Sequence, residues 1–176
     1  MKLKNGLSSI LFLPLPDALQ DKITIASTCE LTPHEREIFF VAFHLIDKAL
    51  IKDPVPLEQL YINAVITDSD DITLQMEPNV LGNQVHLVIY PVHRWRDMQL
   101  SDYKVLTAIV EELCHALWII TDEDLVKDKV TEVIKVYNPN VNRGLLYPGE
   151  ALEKALKQFQ QALQIQAQTV PPSQDL

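Results

Sequence analysis

The sequence predicts a single domain of the α/β class, α+β in type, with a small mixed sheet packed on a core helix and on a second, buried helix, followed by C-terminal helices. Three observations carry that expectation. Short runs rich in β-branched residues lie between stretches dense in Pro, Asp and Asn. Two long helical stretches are apolar around most of their circumference. A chain of 176 residues that is 47% apolar can bury one substantial core but is too short for two. Residues 1–167 are expected to form this domain, and residues 168–176, with two prolines and no apolar period, a disordered tail.

Taken in order, residues 7–13 and 22–27 read as short strands, the second carrying Ile23, Thr24 and Ile25, and they are able to pair as a hairpin across a turn at 16–20. Thr32 then offers an N-cap, Pro33 the first helical position and Glu35 the reciprocal half of a capping box, so a helix should run to about residue 51. Ile38, Phe39, Phe40, Val41, Phe43, Leu45, Ile46 and Leu50 make it too apolar for a surface helix and mark it as a core wall. Beyond the break at 53–56, strand-like runs at 60–66, 72–76 and 85–90 are separated by turn residues. Ser101 is the expected N-cap of a helix that stays apolar almost without interruption over 105–120. Thr121 with Asp124 repeats the capping-box pattern and opens a helix to about residue 137, with Val126, Val130, Val133 and Tyr137 on its buried face. A last helix is expected over about 149–166.

A formal charge of -9 opposes phosphate backbones and anionic bilayers, so neither nucleic acid nor a membrane surface is an expected partner. Lys2 and Lys4 before the apolar run 7–15 imitate the start of a secretory signal, but Pro14 and Pro16 interrupt it and no small-x-small pattern follows. No apolar stretch reaches the roughly 18 to 20 residues of a membrane helix. Cys29 and Cys114 both sit in buried contexts, and such sparse use of cysteine points to a reducing, cytoplasmic setting.

Within 105–120 the polar side chains are Thr107, Glu111, Glu112 and His115. Thr107, Glu111 and His115 recur every four residues and share one row, with Glu112 on the adjoining row, three before His115. Two carboxylates and an imidazole thus converge on one strip of a dry helix. Removing such charges from water costs on the order of several kcal/mol each unless a cation or hydrogen bonds compensate.

The run Glu111-Glu112-Leu113-Cys114-His115 resembles the His-Glu-x-x-His motif of the zincin metallopeptidases, with Glu in place of the first His. In that motif two histidines hold one zinc and the glutamate acts as general base. The order of elements over 32–137 is also similar to the family's: a core helix, a small sheet, the motif helix, then a helix bringing a third ligand. The resemblance implies that Glu111 and His115 are metal ligands, that Glu112 is the catalytic base, and that the strand at 85–90 is the edge against which a peptide pairs. A carboxylate ligates zinc at about 2.0–2.2 Å, so the exchange does not forbid a site, although an oxygen-rich set is harder and tolerates manganese or iron better. For the third ligand the chain offers Asp122, Glu123, Asp124 and Glu132, of which Glu132, just beyond the margin of the buried face, is the expected one. The function implied is a metal-dependent, peptidase-like hydrolase, weakly active or catalytically decayed, with a peptide or protein as its partner.

The residues also allow a non-catalytic reading. Lys129 falls in the apolar sector of its helix, from which it can pair with Glu111 or Glu112, with His115 hydrogen-bonded beside them and no metal. That would make the chain an interaction or structural domain. A di-iron bundle needs a second Glu-x-x-His, which is absent: His34, His44, His86 and His93 follow Leu31, Val41, Asn83 and Tyr90 by three. Cys114 points about 100° away from His115 and reads as core packing. His44 reads as a satisfied core histidine, and His86 as facing either solvent or the site. His93, Arg94, Trp95 and Arg96 read as a solvated loop or a partner contact, and Tyr147 as a packing residue able, in such an enzyme, to donate to an oxyanion.

Overall fold

The β-branched run at Ile23 forms a strand, and its described ladder is parallel, to a strand from beyond a long helix; the hairpin mate expected at 7–13 falls, but for Leu13, outside the described residues. The computed structural model describes residues 2–3, 13–70, 74–75 and 84–150. In chain order its elements are β1 (Lys2–Leu3), α1 (Asp17–Gln20), β2 (Ile23–Ser27), α2 (Pro33–Lys52), β3 (Leu60–Thr67), β4 (Leu74–Gln75), β5 (Gln84–Pro91), α3 (Val92–Asp97), α4 (Asp102–Trp118), α5 (Glu123–Lys135) and α6 (Arg143–Leu146), with a 3-10 turn, Leu57–Gln59, leading into β3. A parallel sheet runs in the order β2-β3-β5, with Ile23 opposite Ile62 and Val65 opposite Ile89. β1 and β4 form a separate antiparallel ladder of two residues each. The turn expected at 16–20 holds α1. Residues 7–12, the last helix from 151 onward and the tail lie outside the described residues.

The mixed α/β class therefore stands, with the parallel order explained by the connection. A parallel pair needs a crossover of a dozen residues or more, usually helical, and α2 with its 20 residues supplies it between β2 and β3. A central parallel strand is covered on both faces, and β3 accordingly buries Ile62, Ala64, Val65 and Ile66 in near-continuous succession. The core lies between this sheet and the helices: Phe39, Phe43 and Ile46 of α2, Ile109, Leu113 and Leu117 of α4, and Val126, Val130 and Ile134 of α5 are all 0–2% exposed. α4 packs on α2 and α5 and touches β5.

Both halves of the predicted capping box on α2 are present, Glu35 N donating to the Thr32 hydroxyl and Thr32 N to the Glu35 carboxylate. Glu35 has a second partner. Arg96 of α3 donates to it from Nε and Nη2 at 2.8 Å each, and this charge-assisted fork, with the Thr32 bonds, draws the carboxyl down to about 2 against the opposing effect of burial. The segment expected to be a solvated basic loop is thus the helix α3, held from both sides. Trp95 lies 6.3 Å from the Phe39 ring and 6.1 Å from Tyr90, and His93 bonds the Thr67 carbonyl and Asp70. Val92 and Trp95, three apart, give the segment an apolar face that its charged residues conceal in the sequence.

Ser101 precedes α4 as expected, without a side-chain cap bond. α5 is capped by Asp122 instead of Thr121, its carboxylate accepting from the backbone of Asp124 and Leu125 at 2.9 Å. Val126, Val130 and Val133 form the buried face with Thr131 and Ile134, whereas Tyr137 is 79% exposed because the helix ends at Lys135 and its period no longer applies. Among the described residues no helix is long and apolar enough to cross a membrane.

The chain divides into two compact units, 1–141 and 142–176. In the second, Asn142 caps α6 by accepting from Leu145 N, Arg143 forms a two-pronged ion pair with Glu150, and Tyr147 follows the helix, half-buried.

Candidate functional site

α4 carries the strip read from the sequence, but its members have separate fates. Thr107 is buried and turns its hydroxyl back onto the Tyr103 carbonyl at 2.7 Å, which removes it from the site. Cys114 is fully buried, and desolvation pushes its thiol well above the ordinary range, as suits core packing. Glu111 and His115 are half-buried, and one ligand atom from each lies with one from Glu123 in a group whose members are all within 4.8 Å of one another.

The turn after α4 assembles this group. Ile119 sits in the left-handed region at φ 54, which a β-branched residue rarely occupies, and ends the helix there. The reversal brings the Ile120 carbonyl back to His115 Nδ1, 2.5 Å away. A carbonyl only accepts, so Nδ1 carries the proton, and in the neutral ring the lone pair is on Nε2. That is the outer-sphere arrangement by which proteins orient a metal-ligating imidazole. Two residues further on, the Asp122 cap sets Glu123 at the first position of α5, with its carboxylate 3.9 Å from His115 Nε2.

Glu132, the third ligand expected from the sequence, is not in the group. It accepts from Lys129 Nζ at 3.0 Å, while the same ammonium donates to Asp53 at 2.5 Å and lies 4.5 Å from the centre of the Trp118 ring. Lys129 is thus anchored in its apolar sector by Asp53, Glu132 and an aromatic face, and the network forms without Glu112 or His115. Donor atoms around a cation bound at about 2.1 Å lie roughly 3.4 Å apart in tetrahedral geometry. The His115–Glu123 pair stands half an ångström beyond that spacing and no pair in the group exceeds 4.8 Å, so side-chain closure of up to about 1.4 Å would bring these residues to coordination distance, and their donor types fit a divalent ion.

Beside the group a cleft of about 380 Å³ opens between β5 and the start of α5, lined by Glu112, His115 and Glu123 on one side and by His86, Leu87 and Val88 on the other. Glu112 keeps an exposed flank, yet the surrounding protein desolvates its carboxyl enough to raise it above the usual carboxylate range. The attraction of His115 opposes that shift, and the charges of Glu111 and Glu123 add to it. Behind the cleft, Tyr90 is fully buried with its hydroxyl unpartnered among the described residues, and desolvation raises its pKa further. Among the described residues β5 has a ladder partner on one edge alone, β3.

Of the other residues singled out, His44 bonds the Phe40 carbonyl at 2.9 Å and is a satisfied, half-buried helix histidine. His86, open in the sequence to either face, points with Val88 and Tyr90 and lines the cleft. The left-handed Ile119 and the choice of Glu123 were not legible beforehand, since nothing in Trp118-Ile119-Ile120 signals a reversal that normally calls for Gly. No known protein family, curated protein or solved structure matches the chain.

Proposed function

We propose that Glu111, His115 and Glu123 hold a divalent metal ion and that the adjoining cleft is a peptidase-like hydrolytic site of zincin type. The observation that carries this reading is the convergence, within 4.8 Å of one another, of donor atoms from Glu111 and His115 of α4, whose Glu-Glu-x-x-His spacing resembles the zincin motif, and from Glu123 of α5. Two carboxylates and one neutral imidazole offset the charge of a divalent ion, and their hardness suits zinc, manganese or iron. When bound, such an ion supplies a Lewis acid that polarises water and a substrate carbonyl. The chain's own residues do the rest. Glu112, held above the usual carboxylate range, is placed to take a proton from water as it adds to the carbonyl and to pass it to the amine as the C–N bond breaks. His115 is fixed in orientation by the Ile120 carbonyl.

Metal stoichiometry by inductively coupled plasma mass spectrometry, on protein purified without chelator or tag-borne metal, tests this directly. About one ion per chain, lost in His115→Ala, supports the reading. Metal-free protein that also takes up no added zinc, manganese or iron sinks it. The second reading, a non-catalytic domain, is favoured by the Lys129, Asp53, Glu132 and Trp118 cluster, which stabilises the neighbouring helix ends without metal.

A further inference from the structure

The donor group straddles a turn. Glu111 and His115 belong to α4 and Glu123 is the first residue of α5, so their spacing depends on residues 119–122 between the two helices, where Ile119 is left-handed. The His115–Ile120 bond ties α4 to this turn, and the Asp122 cap ties the turn to α5. Lys129 reaches across the whole of it. It belongs to α5, yet its Nζ lies 4.5 Å from the centre of the ring of Trp118, the last residue of α4. That residue is half-buried, with its Nε1 shielded from solvent. The same ammonium donates to Asp53, which ends α2, so three helices meet at one cation. Glu132 accepts from it too, but from within α5, and does not cross the turn.

The cost of this arrangement points to a role beyond packing. The Lys129 side chain is 10% exposed, and an ammonium taken out of water loses hydration that an apolar side chain of the same length never had. Its two acid partners are 52% and 63% exposed and stay hydrated without it. What the ammonium adds is direction. A cation held by a carboxylate and set over an indole face fixes where the ring lies, whereas an apolar stem would leave Trp118 free to slide. Trp118 stands two residues before the carbonyl that holds His115, so a shift of its backbone is passed to that bond.

We propose that Lys129 is a positioning residue for the metal group: its ammonium, held between Asp53 and the Trp118 ring, locks the end of α4 to α5 and so sets Glu123 against His115. The proposal rests on the metal reading of that site.

The test compares the full chain with Lys129→Met and Lys129→Arg by Co²⁺ titration, followed by visible absorption, and by proton–nitrogen NMR of the His115 ring in the metal-free proteins. Lys129→Met fills the same apolar space and leaves two acids that already face water, so its Tm should stay within about 3 °C of the parent. Its Co²⁺ affinity should nevertheless fall about tenfold, the low end of the loss expected when an outer partner of a ligand is removed, and its His115 Nδ1–H should exchange with solvent faster. Lys129→Arg, which still pairs with Asp53 and stacks on Trp118, should recover both. Should Lys129→Met not fold, Lys129→Gln takes its place in the same comparison. Parent-like Co²⁺ affinity in the uncharged variant overturns the proposal, as does a loss shared equally by Lys129→Arg. A parent protein that takes up no Co²⁺ defeats the metal reading, and exchange of the His115 proton then still decides whether Lys129 fixes the turn.

Discussion

Two carboxylates of similar sequence standing, Glu123 and Glu132, separate once their partners are seen. Glu132 accepts from Lys129, whereas Glu123 faces His115. Glu123→Ala is therefore expected to weaken metal binding at least tenfold after dialysis against a competing chelator, while Glu132→Ala leaves it within about twofold. The reverse order would return the third-ligand role to Glu132. Glu112 makes a different prediction. Its folded-state pKa is raised above the ordinary 4.5, so folding favours the protonated form, and the residue's contribution to stability falls as pH climbs beyond that value. Glu112→Gln should melt higher than the parent at pH 7, the difference closing below about pH 4.5, and should abolish any hydrolysis. A variant that melts lower at pH 7 would contradict this account of the cleft. At this scale the motif was legible because a charge on a dry helix stands out. Glu123 was among the four acids the sequence offered as a third ligand, but its place beside His115 ahead of Glu132 was not legible, because that position depends on a turn.

That turn gives the element scale its sharpest test. Ile119 is 55% exposed, so its side chain contributes little burial to set against its left-handed backbone, which costs about 1–2 kcal/mol for a residue other than glycine. Ile119→Gly should raise stability by about 1 kcal/mol, near 3 °C in Tm by calorimetry, while a looser reversal weakens metal binding. Unchanged or lower Tm would mean the backbone there is unstrained. The start of α2 works in the opposite sense. Thr32→Ala should cost about 1 kcal/mol in urea unfolding. Glu35 is held near 2, so its stabilisation is complete above about 4.5 and disappears as pH falls through about 2; the deficit of Glu35→Gln at pH 7 should vanish over that window in acid titration. The capping box was readable because every part is local, within four residues. α3 was misread because its fixing partners, Glu35 and Phe39, lie about sixty residues away.

For the molecule as a whole, the long helices and the strands of the parallel sheet were legible, whereas the short helices α1 and α3 and the parallel order were not. The runs at Ile23, Leu60 and Val85 formed strands, and the parallel order of the described ladder follows from α2 passing between two of them as a long crossover. The proposed ion would tie α4 to the start of α5, joining elements that separate on unfolding. Zinc in about hundredfold excess over its dissociation constant should add about 2.7 kcal/mol, or roughly 5–10 °C in Tm, with no effect on His115→Ala. A parent protein whose melting ignores both zinc and chelator would speak for the non-catalytic reading.

Cys114, sealed within the same helix, gives these arguments a time axis. Only a thiolate reacts with alkylating reagents, and burial both hides this sulfur and keeps it protonated, so modification must wait for α4 to release its packing. Its labelling rate is a clock for the opening of the motif helix, independent of any substrate. Cys29, also buried, sits just past β2 beside the Ser27 hydroxyl, so the same reagent times the end of the sheet. Read together, the two sulfurs tell whether α4 and the sheet breathe as one body or in turn.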